Sequence, residues 1–274
     1  MANTVSTAFV RQYESEVHHI YQQRGTKLRN TVRQKNGIVG ESTTFQKIGK
    51  GVASTKAFAP TVVTPMELAH TAIVCTLANS YAGDWIDKLD ELKLQHDERR
   101  AIAEAGAFAL GRKTDADIIT KLNTTTQTEA TAGAMTLVKV LSGLQTLGDA
   151  DSLDSGENFF LLGWRQWRDL LQVAEFASLD FVKPEEMPFN ETGAMGKRWL
   201  GTLFMPHTGL TKSGSTRKCL WYNNRSTGHA IGQDVSAEIT WNGPEASHFI
   251  NNMMSQGACL IDETGVVQID ADET

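Results

Sequence analysis

Several groups of residues in this 274-residue sequence have side chains and spacings that could support catalysis or metal binding. Ser215 and Lys218 have the spacing of a serine nucleophile with a lysine base, but the surrounding KSGSTRKC is typical of a polar loop. Glu14 and His18 lie four positions apart on a predicted helix, a geometry that metals use. No further ligand is close in sequence, so a solvated helix face is the favoured interpretation. His96 is expected at the surface.

Three aspartates and a pair of glycines offer two weaker possibilities, a calcium site and a dinucleotide site. Asp84, Asp87 and Asp90 lack the glycine and terminal glutamate of an EF-hand loop, and acids that complement a helix dipole explain them better. GKG at residues 49–51 has two glycines of a dinucleotide fingerprint, but Ser54 stands at the third position. The sequence has no phosphate-loop, nucleophile-elbow or HExxH motif. It therefore predicts no enzyme, and no metal or cofactor site.

The cysteines and the apolar runs limit the compartment. Cys75, Cys219 and Cys259 are odd in number and far apart, with no CxxC pair, so a disulfide framework is not expected. The N-terminus lacks a basic start followed by an apolar run, so no secretory signal is expected. No apolar run approaches the roughly 18 residues of a membrane helix. We expect a chain that folds in a reducing compartment, away from the membrane.

Charge is distributed unevenly along the chain. The net charge is −6, yet the eight basic residues and single acid (Glu41) between Arg24 and Pro60 give that segment +7 and leave −13 for the rest. Such a segment could bind nucleic acid, or the acidic body of another copy of the chain. The segment lacks the interleaved aromatic residues of a single-strand binder, so the second possibility is at least as strong. The basic residues are Arg24, Lys27, Arg29, Arg33, Lys35, Lys47, Lys50 and Lys56.

The first quarter of the chain is predicted to form arms rather than a core. Apolar residues at spacings of three and four predict a helix over residues 4–24. The basic segment after it predicts a long β-hairpin with two polar faces and a turn at Lys35-Asn36-Gly37. A hairpin of this kind is marginal alone in water and needs a partner surface. Residues 71–80 then predict a strand.

The stretch from His96 to Leu122 predicts one long helix with an apolar middle. Its 27 positions would span roughly 40 Å at about 1.5 Å per residue. The apolar block is continuous and rich in small residues, so it lacks the sustained heptads of a coiled coil. Gly106 and Gly111 each cost about 1 kcal/mol of helix propensity, and close packing is the expected compensation. We interpret this helix as a strut.

The rest of the chain mixes helices and strands, which predicts an α+β class. The polar run at residues 123–134 predicts a linker and a domain boundary. A helix is expected from Thr136, a buried strand at Phe159–Leu162, and a helix after Gly163 with Trp164, Trp167 and Leu171 on its apolar face. The C-terminal part predicts a strand at 229–241, a short helix at 245–255, and strands ACLID and VVQID around the turn at 263–265.

This order of elements resembles the major capsid proteins of tailed bacteriophages with the HK97-type fold. The likeness runs from roughly residue 5 to residue 272, and the order and spacing of several moderately specific stretches carry it. These are YQQRGTKLRNTV, GESTTFQKIGKG, DELKLQHDERRAIAEAGAFALGRKTDADIITKL and, most tellingly, FINNMMSQGACLIDETGVVQIDADE.

The resemblance implies a division of the chain into four parts. They are an N-arm at 1–26, an E-loop at 27–60, a peripheral domain with the long spine helix at 61–133 and 218–244, and an axial domain at 134–217 and 245–274. No lysine–asparagine crosslink can be assigned. No long N-terminal extension of the kind that some members use as a scaffold is present, so a separate scaffolding protein is expected.

The resemblance also implies a function and a set of partners. It implies a structural protein that assembles in the host cytoplasm into hexamers and pentamers of an icosahedral virion shell around double-stranded DNA, which it meets only non-specifically. Portal and scaffolding proteins are expected partners, and a decoration protein is an additional one. Three alternatives stay open at this point: an encapsulin-like compartment shell, an unrecognised cytosolic enzyme, and a nucleic-acid-binding protein acting through residues 24–56.

Overall fold

The computed structural model describes residues 22–56, 58–60, 62–91, 98–131, 133–153, 156–177 and 196–273. The helices within these ranges are α1 (Lys88–Glu91), α2 (Glu98–Leu122), α3 (Leu137–Asp149), α4 (Trp164–Leu171) and α5 (Ala174–Ala177). The strands are β1 (Arg33–Asn36), β2 (Ser42–Ile48), β3 (His70–Thr76), β4 (Ala78–Asp87), β5 (Thr128–Glu129), β6 (Asn158–Leu162), β7 (Lys197–Trp199), β8 (Thr202–Pro206), β9 (Lys212–Ser213), β10 (Thr216–Asn223), β11 (Thr227–Asn242), β12 (Ser247–Leu260) and β13 (Val266–Asp272).

Two compact units share these elements. The first comprises the described residues of Met1–Thr26, Asn79–Arg112 and Asp234–Met254, and the second those of Lys27–Ala78, Lys113–Gln233 and Ser255–Thr274. Helix α2 and strands β11 and β12 therefore each contribute to both units. None of the described helices combines the length and the apolar content needed to cross a membrane.

The second unit is built on a seven-stranded mixed sheet with the order β5-β13-β10-β6-β8-β7, and β9 pairs with β10. All five residues of β6 are buried, as expected for a strand that is covered on both faces. One face carries Phe160 and Trp221 and packs with α3, α4 and α5. The other carries Leu161 and Tyr222 and packs against the last turns of α2. The sheet is thus the middle layer of this unit.

Three predicted elements of this region are confirmed. Helix α2 is described from Glu98 to Leu122, while residues 96–97 of the predicted span lie outside the described residues. Helix α3 begins after Thr136, whose side chain accepts the Lys139 backbone N–H as an N-cap. The buried strand predicted at Phe159–Leu162 is β6.

The predicted linker at residues 123–134 is wrong. Strand β5 within it pairs in parallel with β13, with Gln268 opposite Thr128. Thr125 is buried and donates its hydroxyl hydrogen to the carbonyl oxygen of Val266. The threonines of this run form hydrogen bonds at the edge of the sheet. The polar composition of the run therefore led to the wrong prediction of a linker.

The single helix predicted after Gly163 is also wrong in two respects. The chain forms α4 and α5, separated at residues 172–173. The buried side chains of α4 are Gln166 and Leu170, whereas Trp164 is exposed. Trp167 and Leu171 pack against the core cluster as predicted, so Trp164 is the one predicted face residue that the core leaves exposed.

The short helix predicted at 245–255 is a strand. Alternate residues of β12 are buried, including Ile250, Asn252, Met254 and Gln256, which is the period of a strand with one covered face. The strands predicted at ACLID and VVQID are present as the end of β12 and the start of β13, but they do not pair, because β12 lies in the four-stranded sheet and β13 in the seven-stranded sheet.

In the first unit, the glycines of α2 make close contacts, as the strut interpretation requires. A Cβ on Gly106 would overlap the side-chain amide of Asn252, which itself donates to the carbonyl oxygen of Ala82. A Cβ on Gly111 would lie 2.6 Å from the carbonyl carbon of Gly25. The missing side chains let β12 and the N-terminal segment approach the helix backbone.

We expect Gly111→Ala to destabilise the chain by about 1–3 kcal/mol, because the obstacle at Gly25 is backbone and cannot rotate away. This outcome opposes helix propensity, which favours alanine by about 1 kcal/mol. The matched control is Gly148→Ala in α3, where the nearest atom to the new Cβ is Leu153 Cδ1 at 3.8 Å. Urea unfolding of both variants checks this. Equal stabilisation by both would show that Gly111 is not needed for packing.

Candidate subunit interface

An antiparallel hairpin of β2 and β3 is the part of the second unit with the least core. The register runs from Ser42 opposite Thr76 to Ile48 opposite His70. Each strand has one buried side chain, Phe45 in β2 and Cys75 in β3. A two-stranded hairpin with so little burial is marginal in water, so its root and its surroundings must hold it in place.

The predicted turn of this hairpin at Lys35-Asn36-Gly37 is wrong. Strand β1 pairs in parallel with β11, with Arg33 opposite Gly228, and β2 instead pairs with β3. A long hairpin therefore exists, but its second strand ends at Thr76, beyond the predicted end of the E-loop at residue 60. The sequence Lys35-Asn36-Gly37 indicated a turn between β1 and β2, but it could not indicate which strand each of them pairs with.

The root of the hairpin is fixed by a small apolar cluster. Phe45 and Cys75 pack there with Ala230, Cys259 and Ile261. The Phe45 ring lies against Gly228, where a Cβ would be 2.8 Å from two ring carbons. The hairpin is thus anchored at its base to the strands β11 and β12.

Beyond this root, the segment from residue 49 to residue 69 forms a long tip. Its described residues contain no helix or strand, and they are tied by hydrogen bonds from Gly49 N–H to Ala69 O (2.8 Å) and from Ser54 Oγ to Thr64 O (3.3 Å). A structureless loop of this length inside a compact domain is uncommon and is usually functional. Its exposed apolar side chains are Val52, Phe58, Val62, Val63 and Met66.

The exposure of these side chains is unusual for a solvated loop. Val52 is 82% exposed, Val62 88% and Val63 64%. Several large apolar side chains exposed on one loop indicate an interaction site, because burying apolar surface stabilises by about 25 cal/mol per Å². The tip is therefore the candidate contact surface.

Two ion pairs fasten the hairpin to the rest of the second unit. Lys47 Nζ lies 2.7 Å from Asp262 Oδ1, and Lys50 Nζ lies 2.6 Å from Asp151 Oδ2. Burial alone would raise the pKa of the Asp262 carboxyl, but hydrogen bonds from Lys47 and Thr264 outweigh it and hold that pKa below its usual value. The pairs border a cleft of about 280 Å³. Both pairs are polar contacts between the hairpin and residues of the same unit, and the one at Lys50 lies at the surface.

The chain that leads into the hairpin is clamped by a buried carboxylate. Asp115 in α2 is 1% exposed and accepts the backbone N–H groups of Lys27 (3.0 Å) and Leu28 (3.1 Å). Its Oδ2 also lies 3.2 Å from Nε2 of His207, which is equally buried. Nδ1 of His207 accepts the Gly209 N–H at 3.0 Å, so Nε2 carries the proton that faces Asp115.

A second buried contact follows four residues later. The hydroxyls of Thr31 and Tyr222 lie 2.5 Å apart, and the Tyr222 side chain is fully buried in the sheet. Burial raises the pKa of Tyr222 far above its usual value, so the phenol stays neutral and can share a proton with Thr31. Together with Asp115, this contact fixes residues 27–31 on the second unit.

A protein-family model described as "Phage capsid protein" matches residues 5–273 of the sequence. The chain belongs to the phage capsid protein family. It is a structural capsid protein of the virion, and the extended hairpin with its exposed tip is part of the matched region. A search of curated proteins finds no match.

Solved structures place the phage capsid protein's fold among capsid subunits. A chain of Mycobacterium phage Che8 superposes with a TM-score of 0.76 at 16% identity, over 96% of this chain and 98% of that one. The capsid of Ralstonia phage GP4 gives 0.76 at 9% identity, over 100% and 98%. The capsid of cyanophage P-SCSP1u gives 0.72 at 16% identity, over 100% and 97%. The α+β, HK97-type fold predicted from the sequence is confirmed.

The structure describes some of the residues first considered for chemistry and leaves others outside the described ranges. Lys218 lies in β10, and Ser215 is the residue before that strand. The carbonyl oxygen of Ser215 accepts the Glu273 N–H. The helix-dipole interpretation is wrong for Asp84, which lies within β4, whereas Asp87 accepts the Leu89 N–H at the start of α1. Glu14, His18 and His96 lie outside the described residues, as does the helix predicted at 4–24 except for its last three positions, which are not helical. Across the described ranges, no three His, Cys, Asp or Glu residues form a metal-binding group.

The basic segment of the capsid protein is partly neutralised within its own chain. Lys47 and Lys50 have the acidic partners given above, and the Arg33 guanidinium lies 5.7 Å from the centre of the Phe45 ring. Sequence reasoning identified the segment and left two partners open, nucleic acid and a second copy of the chain, but it did not predict these contacts within the chain. Sequence reasoning also missed Asp115 and His207. The only signals were a charged residue near the apolar run of α2 and a histidine between Pro206 and Gly209.

Proposed function

We propose that this chain is the major capsid protein of a tailed phage, which forms hexamers and pentamers of an icosahedral shell around double-stranded DNA. The observation that carries the proposal is the family match over residues 5–273, which includes the exposed hairpin and its tip. A subunit that presents so much apolar surface on an arm needs neighbours to cover it, as obligate assemblies do.

The parts of the chain have distinct roles in this proposal. Residues 1–26 act as the N-arm, and the hairpin acts as the E-loop, which we extend from residues 27–60 to Thr76 because β3 is its second strand. The peripheral domain then comprises 77–133 and 218–244 with α2 as its spine helix, and the axial domain comprises 134–217 and 245–274. The paired lysines hold the E-loop to its own subunit, and the apolar tip of the loop contacts a neighbouring subunit.

The proposed partners beyond the chain itself are those of a shell that fills with DNA. Portal and scaffolding proteins assemble with it in the host cytoplasm, and a decoration protein can bind outside. The net charge of −6 supports only a non-specific relation to packaged DNA, because phosphates bind basic surfaces and are repelled by acidic ones. Self-complementary contacts between copies set the geometry of the shell.

Electron microscopy of the purified chain, with and without the products of neighbouring genes, tests the proposal. Closed shells or rings of hexamers and pentamers are expected, and particles made in infected cells should hold nuclease-protected DNA. Protein cargo in place of DNA would indicate a compartment shell. A monomer that persists at high concentration in both preparations would contradict the proposal.

A further inference from the structure

Two of the three cysteines meet at the root of the hairpin. Cys75 of β3 and Cys259 of β12 belong to the same small cluster, are 1% and 6% exposed, and are both free thiols. Their side chains are hydrogen-bonded to each other. In sequence they are far apart, so only the fold makes them a pair.

The backbones that carry the two thiols also approach each other closely. Gly257, two residues before Cys259, packs so tightly on Thr76, the residue after Cys75, that a Cβ would overlap the Thr76 carbonyl oxygen. A disulfide needs Cα atoms within about 7 Å and Cβ atoms about 4 Å apart. The close approach of the backbones at Gly257 and Thr76, and the shared cluster of the two side chains, bring the cysteines together in the way that a disulfide requires.

A cleft reaches one thiol of this pair, that of Cys259. Its volume is about 500 Å³, and Cys259 lies in its wall with Lys113 and Lys121 of α2. Thr76 and Leu77 also line this cleft. Cys219, by contrast, is fully enclosed in the core of the seven-stranded sheet.

The electrostatics of the site favour a thiolate. The pKa of Cys75 lies below its usual value, mainly because Cys259 donates a hydrogen bond to its sulfur, with a smaller contribution from the charge of Lys121. The pKa of the donor Cys259 is raised for the same reason. Burial raises the pKa of Cys219 to about 12, which lowers its thiolate fraction by about three orders of magnitude relative to an ordinary cysteine.

We propose that Cys75 and Cys259 form an oxidation site that peroxide closes to an intrachain disulfide. The thiolate of the pair attacks one oxygen of hydrogen peroxide, and the O–O bond breaks to leave a sulfenic acid and hydroxide. The second thiol then attacks the sulfenic sulfur, the S–O bond breaks, and water leaves. In total, two thiols and one peroxide give one disulfide and two waters, so peroxide is the oxidant that is reduced.

The disulfide would join the second strand of the hairpin to β12. Both thiols stay reduced in a cytoplasm rich in glutathione and become oxidisable after release into an aerobic medium. The bond would then hold the root of the hairpin covalently, in addition to the ion pairs of Lys47 and Lys50. The site lies within one subunit, so its test does not depend on assembly.

Peptide mass spectrometry under non-reducing conditions tests the proposal on the full-length subunit. The chain is reduced, freed of reductant, treated with hydrogen peroxide at neutral pH, and alkylated in denaturant. We expect a crosslinked peptide containing Cys75 and Cys259, while Cys219 is recovered as an alkylated thiol and oxidises at least about tenfold more slowly. Dithiothreitol should return the crosslinked peptide to two thiols.

Two variants and one internal comparison decide the outcome. Cys75→Ser should give no crosslink, and dimedone should trap a sulfenic acid on Cys259; Cys259→Ser should give the converse. If either variant fails to fold, the comparison with Cys219 within the unmodified chain still decides. Cys75 and Cys259 reacting no faster than Cys219, or passing to sulfinic acid without a crosslink, would overturn the proposal.

Discussion

Replacing Val52, Val62 and Val63 together with serine is expected to abolish shell assembly at concentrations where the parent chain assembles, and to leave the subunit folded. Val62 and Val52 are the two most exposed apolar side chains of the hairpin tip, and Val63 is also largely exposed. The cluster of Phe45 and Cys75, which anchors the hairpin, lies elsewhere. The change therefore separates contact between subunits from stability of one subunit.

The expected size of this effect follows from apolar burial. A valine that becomes fully buried contributes about 1.5–3 kcal/mol, and partial burial of three gives about 3 kcal/mol per subunit. Since 1.4 kcal/mol is tenfold in an equilibrium constant, the critical concentration for assembly should rise by about 100-fold or more. Sedimentation velocity over a dilution series measures this concentration directly.

The matched control is Thr55→Ala, which changes an exposed residue in the same tip without removing apolar surface. It should assemble like the parent chain. Charge reversal at Lys47 is a weaker test, because it would also break the pair with Asp262 in the same chain. Shells that form normally from the triple variant would show that the tip is not the contact surface.

Elements with strong local signals were predictable from the sequence. The middle of the long helix α2 is a block of small and apolar residues, and the buried strand β6 contains four consecutive apolar residues, Phe159–Leu162. Helix α3 adds a cap at Thr136. In each case the local sequence pattern matches the environment of the element in the folded chain. The pattern alone was therefore enough to predict the element.

Strands whose partners are distant were not predictable in the same way. β12 reads as a helix because asparagine, methionine and glutamine lie at positions that the fold buries. Asn252 is satisfied by Ala82, and Gln256 by Thr114 and His229, all of them far away in sequence. When the hydrogen-bond partners of a polar residue are distant in sequence, the sequence around that residue does not show that it is buried.

The sequence predicted an exposed arm at the candidate interface, but not which residues form and hold it. Composition indicated an arm that could not bury itself, and the hairpin of β2 and β3 is such an arm. Its second strand, its ion pairs and its thiol pair depend on residues up to 215 positions away along the chain. The same holds for Asp115, whose role depends on backbone groups 87 and 88 positions earlier.

Removing the Asp115 carboxylate is expected to give the largest loss of stability of any single change near the hairpin. Asp115→Ala leaves two backbone N–H groups and the Nε2–H of His207 buried without the acceptor they have now. Each unsatisfied buried donor costs about 1–3 kcal/mol, so we expect a total loss of about 3–5 kcal/mol. For a chain of this size, that corresponds to a fall of roughly 10 °C in the unfolding midpoint.

Asp117→Ala is the matched control, two residues along the same helix. Asp117 pairs with Lys113 at the surface, where such a pair contributes at most about 0.5 kcal/mol. Hydrogen exchange gives a local readout that a general loss of stability does not reproduce. In Asp115→Ala, the amides of Lys27 and Leu28 should exchange faster than those of β6, whereas Asp117→Ala should leave both sets protected. Retained protection of Lys27 and Leu28 in Asp115→Ala would mean that the carboxylate does not clamp the chain entering the hairpin.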